Sequence, residues 1–302
     1  MDSPKIFVGS ASTNLGKLIS QKSKIPQGNV EIGKFADGEI DIWIKDKINN
    51  CTVFIIQSAS YPINDHIIEL TLILDAAKRS GAHKIIAVLP YFGYSRKEKQ
   101  SRDGEPISAK VIADIITTSP INKVICLDLH ADAVVGFFNV PVIHLSALKI
   151  LAKAVEKERP KSLVVVSPDV GGVRRARNFA TLINSPMAVV EKHRITHLRD
   201  TTEVLSMSGE IIGDTAIIVD DIISTGGTII SCAQTLKEKG VKKVFVCATH
   251  ALFAADALKN LEKSVIDKII VTDSLENQTN SSKIEVVSVA NLFANCLKEE
   301  IQ

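Results

Sequence analysis

Between Thr215 and Thr228 the chain reads TAIIVDDIISTGGT: a short apolar run, two adjacent carboxylates at Asp220 and Asp221, then hydroxyls and glycines. Glycines at 226 and 227 let the backbone curl so that successive N–H groups point inward, and the hydroxyls of Ser224, Thr225 and Thr228 add donors. Placed between the end of a strand and the start of a helix, such a segment is a site for a phosphate monoester. Two carboxylates beside a phosphate would repel it, unless the ligand carries vicinal hydroxyls nearby for the acids to bind. A ribose 5-phosphate moiety meets both demands. A Walker loop is excluded, because no G-x-x-x-x-G-K-[ST] occurs; Gly9 to Gly16, Lys17 and Leu18 come nearest, with the wrong spacing and no metal-binding hydroxyl.

Four other stretches carry residues suited to chemistry. FADGE, Phe35 to Glu39, has a flat ring to stack on a base and two acids, Asp37 and Glu39, to accept from an exocyclic amine, which suits adenine. Asp37-Gly38 is also a good turn pair in its own right. Pro90 to Lys110 concentrates Arg96, Lys97, Lys99 and Arg102 in a glycine-containing loop, a match for a polyphosphate. Asp169 stands in a strand-to-helix turn where a carboxylate can ligate magnesium directly or through water. Lys192 and Arg194 lie two apart in an extended segment, so they face the same way. His130, in LDLHA, reads by itself as a structural histidine, as do His66, His144 and His250.

These residues need a frame, and short β-branched runs alternating with stretches of helical period supply one. Thr52–Gln57, Glu69–Ser80 and Lys84–Leu89 are the clearest series, and the alternation implies βαβ units with mostly parallel sheets. Gly81 and Gly240 each stop a helical pattern that ends in Lys or Arg. The halves also echo each other. KVICLDLHA (123–131) aligns with KVFVCATHA (243–251) at a shift of 120 and superposes His130 on His250; IGKF (32–35) aligns with VEKH (190–193) at 158; VIHLSAL (142–148) aligns with VVSVANL (286–292) at 144. A duplicated domain follows, with a boundary near Leu145–Pro160.

Length agrees, since 302 residues suit two domains of about 150 each. Hydrophobic residues make up 45% and charged ones 23%, with mean hydropathy +0.17, the balance of a well-buried α/β protein. A net charge of +2 argues against wrapping nucleic acid or lying on an anionic membrane, so any anionic partner is recognised locally. Five cysteines, with no C-x-x-C pair, read as free thiols of a cytoplasmic protein. No apolar run has signal-peptide or membrane-spanning character.

VDDIISTGGT resembles the ribose-phosphate loop shared by type I phosphoribosyltransferases and by phosphoribosyl pyrophosphate (PRPP) synthetase, that is, ribose-phosphate diphosphokinase. The loop alone does not choose between users and makers of PRPP. The other stretches resemble the synthetase family: FADGE is like its F-[SA]-[DN]-G-E, Pro90–Lys110 is similar to its PY-x-x-YARQD…EPISAK, LDLHA is similar to its D-L-H, and Lys192 and Arg194, which follow SPDVGGVRRARNFA, resemble its mobile K-x-R pair. The chain departs from the family at Lys97 and Glu98, where Gln and Asp are usual, at Ser224, where many members have Asp, and in a shorter 100–105 loop.

With matches over nearly its whole length, the chain is identified as a member of the PRPP synthetase family. The resemblance implies an α/β fold of two tandem, pseudo-symmetric type I phosphoribosyltransferase-like domains, residues 1–146 and 147–302, each a mostly parallel sheet flanked by helices, with the last helix packing back on the first domain. It implies transfer of the diphosphoryl group of Mg-ATP to the 1-OH of ribose 5-phosphate, giving PRPP and AMP for nucleotide, histidine and tryptophan biosynthesis. Phe35, Asp37, Glu39, Arg96, Lys97 and His130 would place ATP; Asp220, Asp221, Ser224, Thr225, Gly226, Gly227 and Thr228 would hold ribose 5-phosphate; His130 and Asp169 would hold Mg²⁺; Lys192 and Arg194 would stabilise the transition state. Because FADGE reaches a neighbouring subunit's ATP site in the family, a homo-oligomer is implied, at least a dimer and up to a tetramer or hexamer, with no nucleic-acid or membrane partner. The alternatives are a phosphoribosyltransferase that consumes PRPP and a non-catalytic regulatory homologue.

Overall fold

The computed structural model describes residues 2–160, 162–196, 201–209, 213–276 and 279–301, with the backbone alone for residue 2, 191–196 and 201–207. In chain order the elements are β1 (Asp2–Val8), α1 (Thr13–Ser23), β2 (Val30–Lys34), β3 (Ile40–Ile44), β4 (Cys51–Ile56), α2 (Ile63–Arg79), β5 (Lys84–Leu89), α3 (Ser108–Thr118), β6 (Lys123–Leu127) and β7 (Val142–Leu145). Then come α4 (Leu148–Lys157), β8 (Leu163–Ser167), α5 (Val173–Leu182), β9 (Met187–Thr196), β10 (Thr201–Ser208), β11 (Thr215–Ile223), α6 (Gly227–Glu238), β12 (Lys243–Ala251), α7 (Ala257–Lys263), β13 (Lys268–Thr272), β14 (Ile284–Val287) and α8 (Ala290–Glu299).

The chain divides into two compact units. The first comprises Met1–Ser146, Ser274–Glu276 and Ser288–Gln302, and the second Ala147–Asp273 and Asn277–Val287. A five-stranded sheet in the order β1-β4-β5-β6-β7, parallel throughout, forms the centre of the first unit. Every residue of β4 is buried, as expected of a central parallel strand covered on both faces, and each such Val, Ile or Phe contributes roughly 1.5–3 kcal/mol of burial. The second unit has the order β10-β9-β8-β11-β12-β13-β14, with only the β9–β10 pair antiparallel. On α6 the buried side chains are Ile229, Cys232, Ala233 and Leu236, a single face at helical spacing that covers this sheet.

Both units run strand, helix, hairpin, strand, helix, strand, helix, strand, strand. In the first, the hairpin β2–β3 is a separate two-stranded sheet; in the second, β9 joins the main sheet beside β8. This order corrects one of the repeat alignments. The shifts of 158 and 144 pair β2 with β9 and β7 with β14, which hold matching places, but the shift of 120 pairs β6 with β12, whereas the strand matching β6 is β13. The physical cause is burial: strands covered on both faces converge on interchangeable runs such as VICL and VFVC. His130 therefore has no repeat partner in His250, which is 2% exposed on β12 opposite Ile222.

α8 completes the first unit. Glu300, just beyond it, accepts from Lys84 Nζ at 3.0 Å and from Lys123 Nζ at 2.6 Å. Burial works against the Glu300 charge, but the hydrogen bonds from Lys123 and Lys84 hold its carboxyl below the ordinary range. All five cysteines are buried and unbridged. Burial pushes the thiols of Cys126 and Cys232 up to about 12, which suits packing rather than nucleophilic chemistry. Among the described residues no helix is long and apolar enough to cross a membrane.

Candidate active site

In the second unit, β11 carries the acid pair to the carboxyl edge of the sheet. Asp221 is 2% exposed, while the Asp220 side chain keeps 19% of its surface. Arg175, on the first turn of α5, reaches both: its Nη1 lies 3.2 Å from Asp220 Oδ1 and 3.0 Å from Asp221 Oδ1. The Asp221 backbone N–H donates to Asp220 Oδ1 at 2.8 Å. Burial, and then the neighbouring Asp221 charge, push the Asp220 carboxyl well above its ordinary range, and Arg175 pulls it back.

Past the acids the chain turns at Gly226, whose φ of +80° is a left-handed conformation. A Cβ there would also sit 3.3 Å from Leu261, so glycine serves both backbone and packing. α6 begins at Gly227 with no side-chain cap, and the Ile230 N–H starts its ladder on the Gly226 carbonyl at 2.9 Å. Its first N–H groups thus face outward at the positive end of the helix dipole, and a Cβ on Gly227 would meet nothing within 4 Å. Thr225, Gly227 and Thr228 are exposed, and a shallow groove of about 380 Å³ leads from Thr225 and Gly227 along α6 to Asn260 and Lys263.

Asp169 is exposed in the turn between β8 and α5. Its Oδ1 accepts from the Gly172 N–H at 2.8 Å, and Ser167 Oγ donates to its carbonyl at 2.7 Å, so the side chain is oriented by its own loop. Burial first, and then the charges of Asp220 and Asp169, raise the Cys232 thiol. Lys192 and Arg194 fall on β9, opposite Leu205 and Glu203 of β10, and their side chains lie outside the described part of the structure.

The first unit holds the residues suited to a nucleotide. Phe35 to Glu39 form the tip of the β2–β3 hairpin, closed by Phe35 N–H to Glu39 O at 2.8 Å and Gly38 N–H to Phe35 O at 2.9 Å. Gly38 takes φ +95°, and Asp37 Oδ1 accepts from the Glu39 N–H at 3.2 Å. The turn that Asp37-Gly38 favours is what presents Phe35, 55% exposed, to its surroundings. Arg96 is exposed, whereas Lys97 pairs with Glu105 at 3.0 Å, a hydrogen bond that draws the Glu105 carboxyl downward. His130 is exposed just beyond β6.

Two further residues take positions at these sites. Leu129 N–H donates to His144 Nε2 at 2.9 Å, so His144 supports the loop that presents His130. Arg175 is one of three arginines in VRRAR, and a signal for it exists: it alone stands four residues before Phe179, which has no exposure, and so borders the buried face of α5.

Comparison with known proteins agrees across the whole length. Residues 4–119 match the N-terminal domain of ribose phosphate pyrophosphokinase, and residues 196–301 match the phosphoribosyl synthetase-associated domain. A ribose-phosphate pyrophosphokinase of Fusobacterium nucleatum is 40% identical over 297 residues, covering 97% of this chain and 93% of that one. One from Staphylococcus epidermidis is 42% identical over 300 residues, covering 98% and 93%. The crystal structure of phosphoribosylpyrophosphate synthetase from Mycobacterium smegmatis superposes with a TM-score of 0.90 at 32% identity, covering 99% of both chains.

Proposed function

The chain belongs to the ribose-phosphate pyrophosphokinase family, and from that premise we propose how its own residues divide the work. The reaction transfers the β,γ-diphosphoryl group of ATP to the 1-hydroxyl of ribose 5-phosphate and releases AMP. The observation that carries the assignment is the acid pair Asp220–Asp221 leading directly into the uncapped, glycine-opened start of α6. Ser224 to Thr228 hold the 5-phosphate on hydroxyls and N–H groups, and Asp220, the exposed member of the acid pair, accepts from the sugar hydroxyls, so C1 is presented to the donor.

Phe35 stacks on adenine, Asp37 and Glu39 accept from its amine, and Arg96 and Lys97 bind the polyphosphate once Lys97 exchanges Glu105 for it. His130 and Asp169 would hold Mg²⁺. The fit rests on the donor set: Asp169 is an exposed carboxylate with one oxygen engaged by the Gly172 N–H, and hard cations prefer oxygen ligands. Magnesium takes one or two protein ligands and completes its shell with water and phosphate oxygens. When bound, it screens charge on the transferred diphosphoryl group.

The ribose 1-hydroxyl oxygen attacks the β-phosphorus, giving up its proton to solvent, while the bond from that phosphorus to the bridging α–β oxygen breaks, so AMP departs in line. Catalysis is then positioning plus neutralisation of charge on the oxygens, the part taken by Lys192 and Arg194. The working unit is at least a dimer, on the resemblance of the FADGE tip to one that completes a neighbour's ATP site, and it is placed in the cytoplasm on its cysteine usage. The test is AMP release from ATP, with and without ribose 5-phosphate, repeated in the presence of phosphate and of ADP. Ribose 5-phosphate-dependent AMP is the expected result. Pyrophosphate release from PRPP and a base, without AMP formation from ATP, would make the protein a transferase instead.

A further inference from the structure

Asp220 and Asp221 are adjacent acids, Asp221 buried and Asp220 partly exposed, and the Arg175 guanidinium reaches both. Asp221 has almost no exposed surface, so in this structure it presents no oxygen to a ligand, and Asp220 is the member of the pair that reaches solvent. Side by side without a cation, two such carboxylates cannot both stay ionised; one takes a proton and becomes a donor. A sugar diol needs the opposite, an acceptor with two free lone-pair directions. Arg175 supplies what is missing. Its planar fork offers fixed donors, one nitrogen of which touches Oδ1 of both acids. The helix turn that holds Arg175 is itself anchored, since the Gly172 N–H donates to Asp169 Oδ1 at 2.8 Å and the Ala176 N–H to Gly172 O at 3.0 Å.

We propose that Arg175 is a positioning residue for the ribose hydroxyls: pinned by buried Asp221, it holds Asp220 at Oδ1 so that the exposed edge of the Asp220 carboxylate faces the sugar. This rests on the ribose 5-phosphate reading of the site. Asp221 is then an anchor for the arginine rather than a second ligand to the sugar. Arg175 touches no substrate and acts through Asp220.

Steady-state kinetics on the full-length enzyme separate this from a purely structural part. Arg175→Gln should raise KM for ribose 5-phosphate about tenfold or more while KM for ATP stays within about twofold. Combining Arg175→Gln with Asp221→Asn removes the charge that the arginine balanced, and should restore KM for ribose 5-phosphate to within about threefold of wild type, a coupling that lost packing would not produce. Arg175→Lys, which keeps the charge but not the fork, should fall between. Wild-type KM in Arg175→Gln, or a double variant no better than the single one, overturns the proposal. Should Arg175→Gln fail to fold, Arg175→Lys and the double variant decide: wild-type KM in the former, or an unrelieved KM in the latter, overturns it. Asp220→Ala serves as the reference. An unchanged KM there refutes the sugar reading itself, whereas a raised KM there with a normal one in Arg175→Gln refutes the positioning role alone.

Discussion

β4 and β11 hold the same place, second in the parallel run of each unit and followed by a crossover helix, and they end in opposite ways. β4 runs into Gln57 and Ser58, both without exposed surface. There the Glu69 carboxylate, from inside α2, accepts from Ser10 N–H at 2.7 Å, Ser10 Oγ at 2.6 Å and Gln57 Nε2 at 2.7 Å, while Gln57 Oε1 accepts from the Ala11 N–H at 3.0 Å. The packing is closed: a Cβ on Gly9 would lie 2.4 Å from Gln57 Oε1. β11 instead carries two acids near its end and leads through an open glycine turn into the uncapped start of α6. A strand end of this frame becomes a ligand site only where the protein's own side chains leave its polar groups unsatisfied. In the first unit an internal carboxylate already occupies them, and the residues proposed for ATP lie instead at the hairpin tip, in the 90–110 loop and just beyond β6.

If that contrast is right, damage at the second unit's strand end is read in kinetics and damage at the first unit's in stability. The largest effect is expected at Lys192: replacement by Ala should lower kcat by on the order of 10²–10³ with little change in KM for ribose 5-phosphate, as for loss of a preorganised charge. Near-normal kcat would remove Lys192 from the mechanism. Asp220→Ala should raise KM for ribose 5-phosphate by roughly 10–100-fold, the worth of a charged hydrogen bond, with an unchanged melting temperature. An unaltered KM would erase the distinction between the two strand ends.

Glu69→Ala should do the reverse, costing about 1–3 kcal/mol in denaturant unfolding because buried donors lose their acceptor, with KM values intact in the folded enzyme. A KM for ribose 5-phosphate that rose with it would mean that the first unit's closed cluster takes part in binding. The smallest effect concerns α8. Because Glu300 is held below its ordinary value of 4.5, its contribution is present above that pH and is lost as pH falls through the depressed value. Glu300→Gln should therefore destabilise by about 1 kcal/mol near pH 7 and less at pH 3–4, measured by urea unfolding at each pH. A pH-independent difference would exclude charge pairing with Lys84 and Lys123 as its basis.

Much of this was open to reading in the chain. Short β-branched runs alternating with helical ones predict βαβ units because burial on both faces favours β-branched residues, and the sheets are parallel throughout except at the hairpins. The VDDIISTGGT segment declares its ligand chemistry locally, since glycine freedom, hydroxyl donors and adjacent acids are properties of neighbours in sequence. The repeat was legible where its strands carry distinctive ends, as for β7 and β14, and misleading where burial had made β6 and β12 alike.

What the order of residues could not settle is which groups meet from distant elements. That Arg175 would reach two acids 45 and 46 positions away, that Asp221 would be buried while Asp220 reaches the surface, and that Glu69 would close one strand end from inside all depend on how helices seat on their sheets. Local composition determines which chemistry a segment is able to offer; only packing decides whether those groups satisfy one another or are left for a substrate.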